Sequence, residues 1–129
     1  MMEAVLIIDV ILDEVYEVHG KKGQASMLLF HGNSECKNFS GIILPGAVDT
    51  QKELKDEKRL LSARYILEGR DYTGTDCRIF IENNSIPESE YTKPLIYTDS
   101  KALGWLENEN LYGVIEGKEN GVVISIYKS

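Results

Sequence analysis

Six residues combine reactive or hydrogen-bonding groups with positions in or beside extended apolar segments. Alternation along a β-strand sends every second side chain to one face, so residues of several strands can converge on one end of a β structure. A carboxylate and a guanidinium enclosed there would form a rigid bidentate pair, and aromatic rings could cover it. The candidate ligand-binding site therefore comprises Asp49, Arg64, Tyr65, Asn83, Tyr97 and Trp105.

Asp49 follows a segment whose sequence fixes its direction. The run 39–44 is apolar and contains Gly41, and a glycine inside a strand marks a bend or a close backbone approach. Pro45 and Gly46 come next, a pair that is typical of a type II turn. We therefore expect a strand that bends in its middle, ends sharply and presents Asp49 just beyond the turn.

Two interpretations of Asp49 and Arg64 are open. In the first, Arg64 orients an anionic or carbonyl ligand and Asp49 acts as a base or an orienting partner. In the second, the two residues form a structural salt bridge between the turn and the next strand. Both interpretations predict that Asp49 and Arg64 contact each other or a shared ligand in one pocket, because an unpaired buried guanidinium costs several kcal/mol. For Tyr97 and Trp105 the competing interpretation is ordinary packing.

Composition limits the classes of function. The 129 residues correspond to one domain, 1–129, with 43% hydrophobic and 27% charged residues, as in ordinary globular proteins. Twenty-one acidic against fourteen basic residues give a net charge of −7. That charge argues against nucleic-acid partners and against anionic membranes, because both would repel the surface.

The cysteines and the N-terminus predict a reducing compartment. Cys36 and Cys77 do not form a CxxC pair and only two histidines are present, so a zinc site is not expected. Residues 4–12 are apolar, but Glu3 precedes them and Asp9 interrupts them, which is unlike a signal peptide. We expect a cytoplasmic protein with two free thiols.

Alternating apolar residues predict many short strands. They cover residues 4–18, 25–31, 39–44, 60–68, 77–83, 95–98, 111–116 and 122–127. Residues 32–35 are expected to interrupt the second strand, and the charged run 52–59 to form a solvated loop. One short helix is predicted over 101–107, with Asp99 or Ser100 as its N-cap.

The strand pattern predicts the fold. Asn120 and Gly121 lie between two alternating runs, which is a strong hairpin signal. Many strands with regular turns and almost no helix indicate an all-β barrel or sandwich. A bent central strand with an interior glycine favours a single closed or nearly closed antiparallel β-barrel.

Motifs distributed along the chain resemble the uncharacterised bacterial and fungal domain-of-unknown-function 3237 family. The resemblance covers nearly the whole chain and depends on short motifs in a fixed order. These are Gly32, Gly41, Ile43-Leu44, Pro45-Gly46-Ala47-Val48-Asp49, Ala63-Arg64-Tyr65, Ile79-Phe80-Ile81-Glu82-Asn83, Trp105-Leu106 and Leu111-Tyr112-Gly113. Ala47 and Thr50 depart from the family pattern, which often has glycine and tryptophan at these places. The resemblance implies a small barrel of calycin-like or allene-oxide-cyclase-like outline and no established activity.

Two functions from different classes remain. The first is a barrel that binds a small apolar or weakly acidic molecule through a polar Asp/Arg anchor in an apolar lumen. The second is a cofactor-free enzyme of the isomerase or cyclase type that uses the same pocket. No phosphate-binding glycine loop or nucleophile elbow is present in the sequence, so no cofactor is expected. The expected partner is a small molecule, and a homodimer stays open.

Overall fold

The computed structural model describes residues 3–129, which form nine β-strands and one short 3₁₀ helix. The strands are β1 (Leu6–His19), β2 (Gly23–Glu35), β3 (Phe39–Ile43), β4 (Val48–Leu54), β5 (Leu60–Asp71), β6 (Asp76–Ser85), β7 (Thr92–Thr98), β8 (Leu111–Lys118) and β9 (Gly121–Lys128). The 3₁₀ helix spans Gly104–Glu107, between β7 and β8.

The strands close into an antiparallel barrel, as the sequence predicted. Strand β1 pairs with both β9 and β2, and the ladder continues from β9 through β8, β7, β6 and β5. The short strands β3 and β4 share one position, because each of them pairs with β2 on one side and β5 on the other. Nine strands therefore make a barrel of eight positions.

One end of the barrel is filled by the hydrophobic core. Inward-facing residues of β1, β5, β6 and β9 are fully buried there, among them Leu6, Leu67, Ile79 and Ile126. The connection from β7 to β8 crosses this end, and its buried residues Leu103 and Leu106 pack into the core with Phe39. We refer to it as the closed end.

Asp71 connects the end of β5 to the β7–β8 connection through hydrogen bonds at the closed end. It is buried at the end of β5, where Oδ1 accepts hydrogen bonds from the backbone N–H and hydroxyl of Thr73. Its Oδ2 accepts a bond of 2.7 Å from the hydroxyl of Ser100, which in turn accepts one from Leu103 N–H. These bonds hold the pKa of Asp71 below its ordinary value.

The bent strand around Gly41 is as predicted. Gly41 faces Gly69 in the β3–β5 ladder, and a Cβ atom on Gly69 would lie 2.0 Å from the carbonyl oxygen of Ser40. Two glycines therefore let the backbones of β3 and β5 approach at this corner of the barrel.

Several predicted boundaries are wrong. Strand β2 continues through 32–35, because those residues pair with β1 and β3. Residues 52–54 belong to β4 rather than to a loop, since they pair with 23–25 of β2. The predicted helix is only the turn Gly104–Glu107, although Ser100 Oγ does accept a bond from Leu103 N–H just before it.

The predicted β8–β9 hairpin is present, with a shifted turn. Lys118 pairs with Gly121, so Glu119 and Asn120 form the two-residue turn and Gly121 begins β9. A Cβ atom on Gly121 would lie 1.9 Å from the carbonyl oxygen of Val10. This glycine therefore serves the contact with β1 rather than the turn.

Strands β7 and β8 form the weakest junction. In the described chain they share one residue pair, Thr92 with Gly113. On the outer surface Tyr91 packs edge-on against Tyr112 with ring centroids 5.3 Å apart. We call this junction the β7–β8 seam.

Both cysteines are free thiols, as predicted. Cys77 is buried and Cys36 is partly buried. No helix within residues 3–129 has the length and apolar composition needed to cross a membrane.

Candidate functional site

The end of the barrel opposite the closed end contains a cavity of about 650 Å³. Most of its walls are aliphatic, and polar groups come from β4, β6, β7 and the β8–β9 turn. The lining residues are Val10, Ile11, Leu12, Leu28, Phe30, Asp49, Gln51, Leu61, Ala63, Asn83, Thr92, Ile115, Glu119, Asn120, Gly121, Val122 and Ile124. Leu12 and Ile115 are about two-fifths exposed, so the cavity opens to solvent beside them.

Three polar atoms in the cavity wall are buried without a hydrogen-bond partner. They are Asp49 Oδ1, Asn83 Oδ1 and Thr92 Oγ1. Asn83 and Thr92 are at most 5% exposed. Buried polar atoms are normally hydrogen-bonded, so these three are suited to a bound molecule or ordered water.

The strand register brings the three atoms to one side of the cavity. Asp49 and Asn83 flank Ala63 of β5, because both residues pair with it. The small Ala63 side chain leaves the space between them open. Asn83 Oδ1 and Thr92 Oγ1 lie within 3.5 Å of the point where a Cβ atom of Gly113 would stand. Together these residues form the polar wall of the cavity, Asp49–Asn83–Thr92.

Asp49 is a carboxylate in a mainly apolar cavity. Desolvation raises its pKa, and a hydrogen bond of 2.9 Å from Gln51 Nε2 to Oδ2 opposes part of that shift. Burial disfavours the charged form, whereas a donated hydrogen bond favours it. Asp49 therefore has one oxygen, Oδ2, that accepts a hydrogen bond and a second oxygen, Oδ1, that is buried without a partner.

A chain of hydrogen bonds links Asp49 to an arginine at the rim. Gln51 Oε1 accepts a hydrogen bond of 3.2 Å from Arg59, and Arg59 also lies 3.5 Å from Glu53 Oε2. Gln24 Nε2 donates to the same oxygen of Glu53 at 2.7 Å. Arg59 therefore interacts with the Glu53 carboxylate and the Gln51 amide, and it is not part of the cavity lining.

Tyr65 lies deeper in the barrel than the cavity lining. Its ring packs edge-on against Phe30 with centroids 5.5 Å apart, and only 3% of the residue is exposed. The hydroxyl is buried without a partner, and desolvation raises its pKa. Phe30 lines the cavity and Tyr65 does not, so Tyr65 contributes to the site through its packing against Phe30.

The predicted contact between Asp49 and Arg64 is wrong. Asp49 pairs with Ala63, and alternation sends the next residue, Arg64, to the outer face. Arg64 is exposed to solvent and is not part of the cavity lining. The Asp/Arg anchor expected from the sequence is therefore replaced by the polar wall.

The structure also places Tyr97 and Trp105 away from the cavity. Tyr97 is 56% exposed and stacks on Phe80 on the outer surface, with centroids 6.0 Å apart. Trp105 is 36% exposed in the 3₁₀ helix at the closed end. His31 is exposed and bonded to Asp13 at 2.7 Å, also outside the cavity.

Sequence reasoning missed Thr92, Gln51 and Arg59. Thr92 alternates with the buried residues Pro94 and Ile96, but the proline suggested that the strand begins after it. Arg59 precedes Leu61 and Ala63 by two and four residues, so the period of two in β5 could have placed it on the inner side.

The cavity can hold a small, mainly apolar molecule and offers it hydrogen-bond acceptors. Its two charged lining residues, Asp49 and Glu119, are both acidic. Within residues 3–129, no three His, Cys, Asp or Glu side chains are grouped so that they could hold a metal ion. The chemistry available is therefore shape, hydrogen bonding and proton transfer by a carboxylate.

Comparison with known proteins shows what the fold is similar to. No protein-family model matches the chain, and no curated protein matches its sequence. A protein of unknown function from Clostridium acetobutylicum is 26% identical, with a TM-score of 0.82 over 99% of this chain and 95% of that one.

Two more distant structures share the fold. A beta-barrel like protein from Acinetobacter baumannii is 17% identical, with a TM-score of 0.69 over 99% of this chain and 94% of that one. An enzyme from Penicillium herquei is 15% identical, with a TM-score of 0.77 over 100% of this chain and 94% of that one. At these identities the likeness establishes the β-barrel fold alone.

Proposed function

We propose that the protein binds a small, largely apolar molecule inside the barrel. The observation that carries this proposal is the cavity of about 650 Å³ that has buried, unpartnered polar atoms in an otherwise aliphatic wall. Ligand pockets combine these two properties, because apolar area supplies affinity and a few polar groups fix orientation. A cytoplasmic location, a homodimer and the resemblance to the domain-of-unknown-function 3237 family stay predictions from the sequence.

The proposal is tested by a substitution in β5 that places a large side chain in the cavity. Ala63 faces the cavity and Arg64, the next residue, faces solvent. N-phenyl-1-naphthylamine, an uncharged dye that fluoresces in apolar surroundings, is titrated into wild type, Ala63→Phe and Arg64→Phe. We expect saturable binding to wild type and Arg64→Phe, and at least a tenfold weaker Kd for Ala63→Phe, because the phenyl group occupies the dye's space.

The control separates loss of the cavity from loss of the fold. All three proteins should give the same far-ultraviolet circular dichroism spectrum. Equal dye affinity in folded Ala63→Phe and wild type would contradict binding in the barrel. Absence of saturable binding to folded wild type would contradict the proposed dye-binding cavity directly.

A second candidate function follows from Asp49. A carboxylate whose pKa is raised by burial, with one free oxygen in an apolar cavity, is suited to general-base catalysis. This observation supports a cofactor-free enzyme of the isomerase or cyclase type. The solved enzyme from Penicillium herquei has the same fold, at an identity that carries no activity over.

A generic base probe tests that candidate. When a carboxylate takes the C3 proton of 5-nitrobenzisoxazole, the ring N–O bond breaks and a nitrile and a coloured phenolate form. We expect wild type and Asp13→Asn to accelerate this reaction and Asp49→Asn to lose the acceleration. Equal rates for wild type and Asp49→Asn would exclude Asp49 as the base.

A further inference from the structure

Two of the three unpartnered atoms in the polar wall are hydrogen-bond acceptors only. Asp49 Oδ1 and Asn83 Oδ1 can only accept hydrogen bonds, and both lack a donor. Thr92 Oγ1, the third unpartnered atom, can accept or donate. One of the two amide hydrogens of Gln51 Nε2 is donated to Asp49 Oδ2 and not to Oδ1. A molecule that satisfies this wall must therefore bring hydrogen-bond donors.

The charge of the cavity lining disfavours an anionic ligand. Asp49 and Glu119 both carry negative charge, and the lining formed by described residues contains no Lys, Arg or His. The arginine nearest along the hydrogen-bond chain, Arg59, is held at the rim by Glu53 and Gln51. A carboxylate or phosphate in the cavity would meet two like charges, of which the partly buried Asp49 repels more strongly than the exposed Glu119.

A cationic ligand is less favoured than a neutral one. The cavity lining next to the polar wall is aliphatic and includes Val10, Leu28, Leu61, Val122 and Ile124. An ammonium group beside the polar wall would lose most of its hydration, and only Asp49 could pair with it there, because Glu119 lies exposed in the β8–β9 turn. Burying a hydroxyl group costs much less hydration free energy, and the hydroxyl can donate a hydrogen bond to Asp49 Oδ1 or to Asn83 Oδ1.

We infer that the cavity selects an uncharged apolar molecule that carries a hydroxyl group, and that this hydroxyl donates a hydrogen bond to the Asp49–Asn83–Thr92 wall. The inference depends on the proposed binding function, since it names the ligand class of the same cavity. Of the apolar or weakly acidic ligands expected from the sequence, it keeps the apolar class and adds a neutral hydrogen-bond donor.

The experiment compares four naphthalene derivatives of nearly equal size. 2-Naphthalenemethanol is a neutral donor, 2-(methoxymethyl)naphthalene is a neutral acceptor only, 2-naphthoate is an anion and 2-naphthylmethylammonium is a cation. Each displaces N-phenyl-1-naphthylamine from wild type, Asp49→Asn and the surface control Asp13→Asn at pH 8. Asp13 is an exposed carboxylate bonded to His31, so its substitution changes the same charge outside the cavity.

We expect wild type to bind the alcohol about tenfold more tightly than the ether, because the ether leaves a buried acceptor unsatisfied. The carboxylate should bind weakest. Asp49→Asn should reduce the advantage of the alcohol over the ether, since the asparagine can place an N–H at the position of Oδ1 and leaves only Asn83 Oδ1 as an acceptor without a partner. Asp13→Asn should keep the wild-type order.

The outcomes separate the two proposals. Equal binding of alcohol and ether to wild type, or tighter binding of the carboxylate or ammonium ion, overturns the inference and leaves the binding function standing. An unchanged alcohol preference in Asp49→Asn also overturns the role given to Asp49. Failure of the dye and all four compounds to bind folded wild type overturns the binding function itself.

Discussion

Replacing Asp49 by asparagine should stabilise the protein at pH 8. Asparagine has the same shape as aspartate, and its amide oxygen can still accept the hydrogen bond from Gln51. It carries no charge, so folding no longer has to desolvate a carboxylate. The prediction is unusual in direction, because most substitutions at partly buried polar residues destabilise a protein.

The expected gain follows from the unpartnered oxygen. A buried polar atom without a partner costs about 1–3 kcal/mol, and more when it is charged. Asp49 is only partly buried and the asparagine N–H₂ also lacks a partner, so we take the low end, about 1 kcal/mol. For 129 residues with an unfolding entropy of about 2.1 cal/mol/K each, that free energy raises Tm by about 4 °C.

The pH dependence identifies the cause. Burial raises the pKa of Asp49 in the folded state above its ordinary value of 3.8, so the folded state binds more protons than the unfolded state between the two values. Wild-type stability from this group therefore falls as pH rises through the folded-state pKa. The advantage of Asp49→Asn should be full at pH 8 and absent below about pH 3.8, where both states are protonated.

The assay is thermal and urea unfolding of wild type, Asp49→Asn and Asp13→Asn between pH 3 and pH 8. Asp13→Asn should change stability by less than about 1 kcal/mol, because its ion pair with His31 is exposed. A lower Tm for Asp49→Asn at pH 8 would refute the reasoning and show that Asp49 holds the fold together. A gain that does not change with pH would exclude desolvation of the carboxylate as its cause.

Three further predictions concern the closed end and the strand corner. Asp71→Asn should lower the urea midpoint at pH 7 by more than at pH 3, since a carboxylate with a lowered pKa stabilises the folded state only while it is ionised; an equal loss at both pH values would contradict this. Ile79→Ala should cost about 2–5 kcal/mol by urea unfolding, because Ile79 is completely buried; a loss under 1 kcal/mol would mean that the core refills the space. Gly69→Ala should sharply lower Tm, since its Cβ would meet the Ser40 carbonyl, whereas Gly104→Ala has open space and should change Tm little; similar Tm values for the two would contradict the close approach.

Local sequence signals predicted much of the barrel because they act within one strand. Alternation along 60–68 and 77–83 places the core residues of β5 and β6, and Gly41 marks the corner where β3 meets Gly69. The same alternation assigns Ala63 and Tyr65 to one face and Arg64 to the other. The error over Arg64 came from the expectation that a guanidinium in a half-buried strand needs a charged partner; Arg64 lies on the outer face, which is open to solvent.

The residues of the site could be predicted only in part, because their convergence depends on the register between neighbouring strands. Asp49 and Asn83 line one cavity since both pair with Ala63, a register that neither segment encodes alone. Thr92 joins them because β7 begins before Pro94, against the usual meaning of proline in a strand. Trp105 reaches the opposite end because the connection after β7 crosses the closed end.

The β7–β8 seam has a consequence for how the barrel opens. Most neighbouring strands here are joined by ladders of five or more residue pairs, whereas β7 and β8 share Thr92 with Gly113, and Pro94 has no amide hydrogen to offer. Regions with few backbone bonds open locally at a small fraction of the global unfolding free energy. Amide hydrogens of β8 should therefore exchange with solvent faster than those of β5 and β6. Since Thr92 belongs to the polar wall, each such opening would also widen the cavity on that side and would give the proposed ligand a route of entry between the two strands.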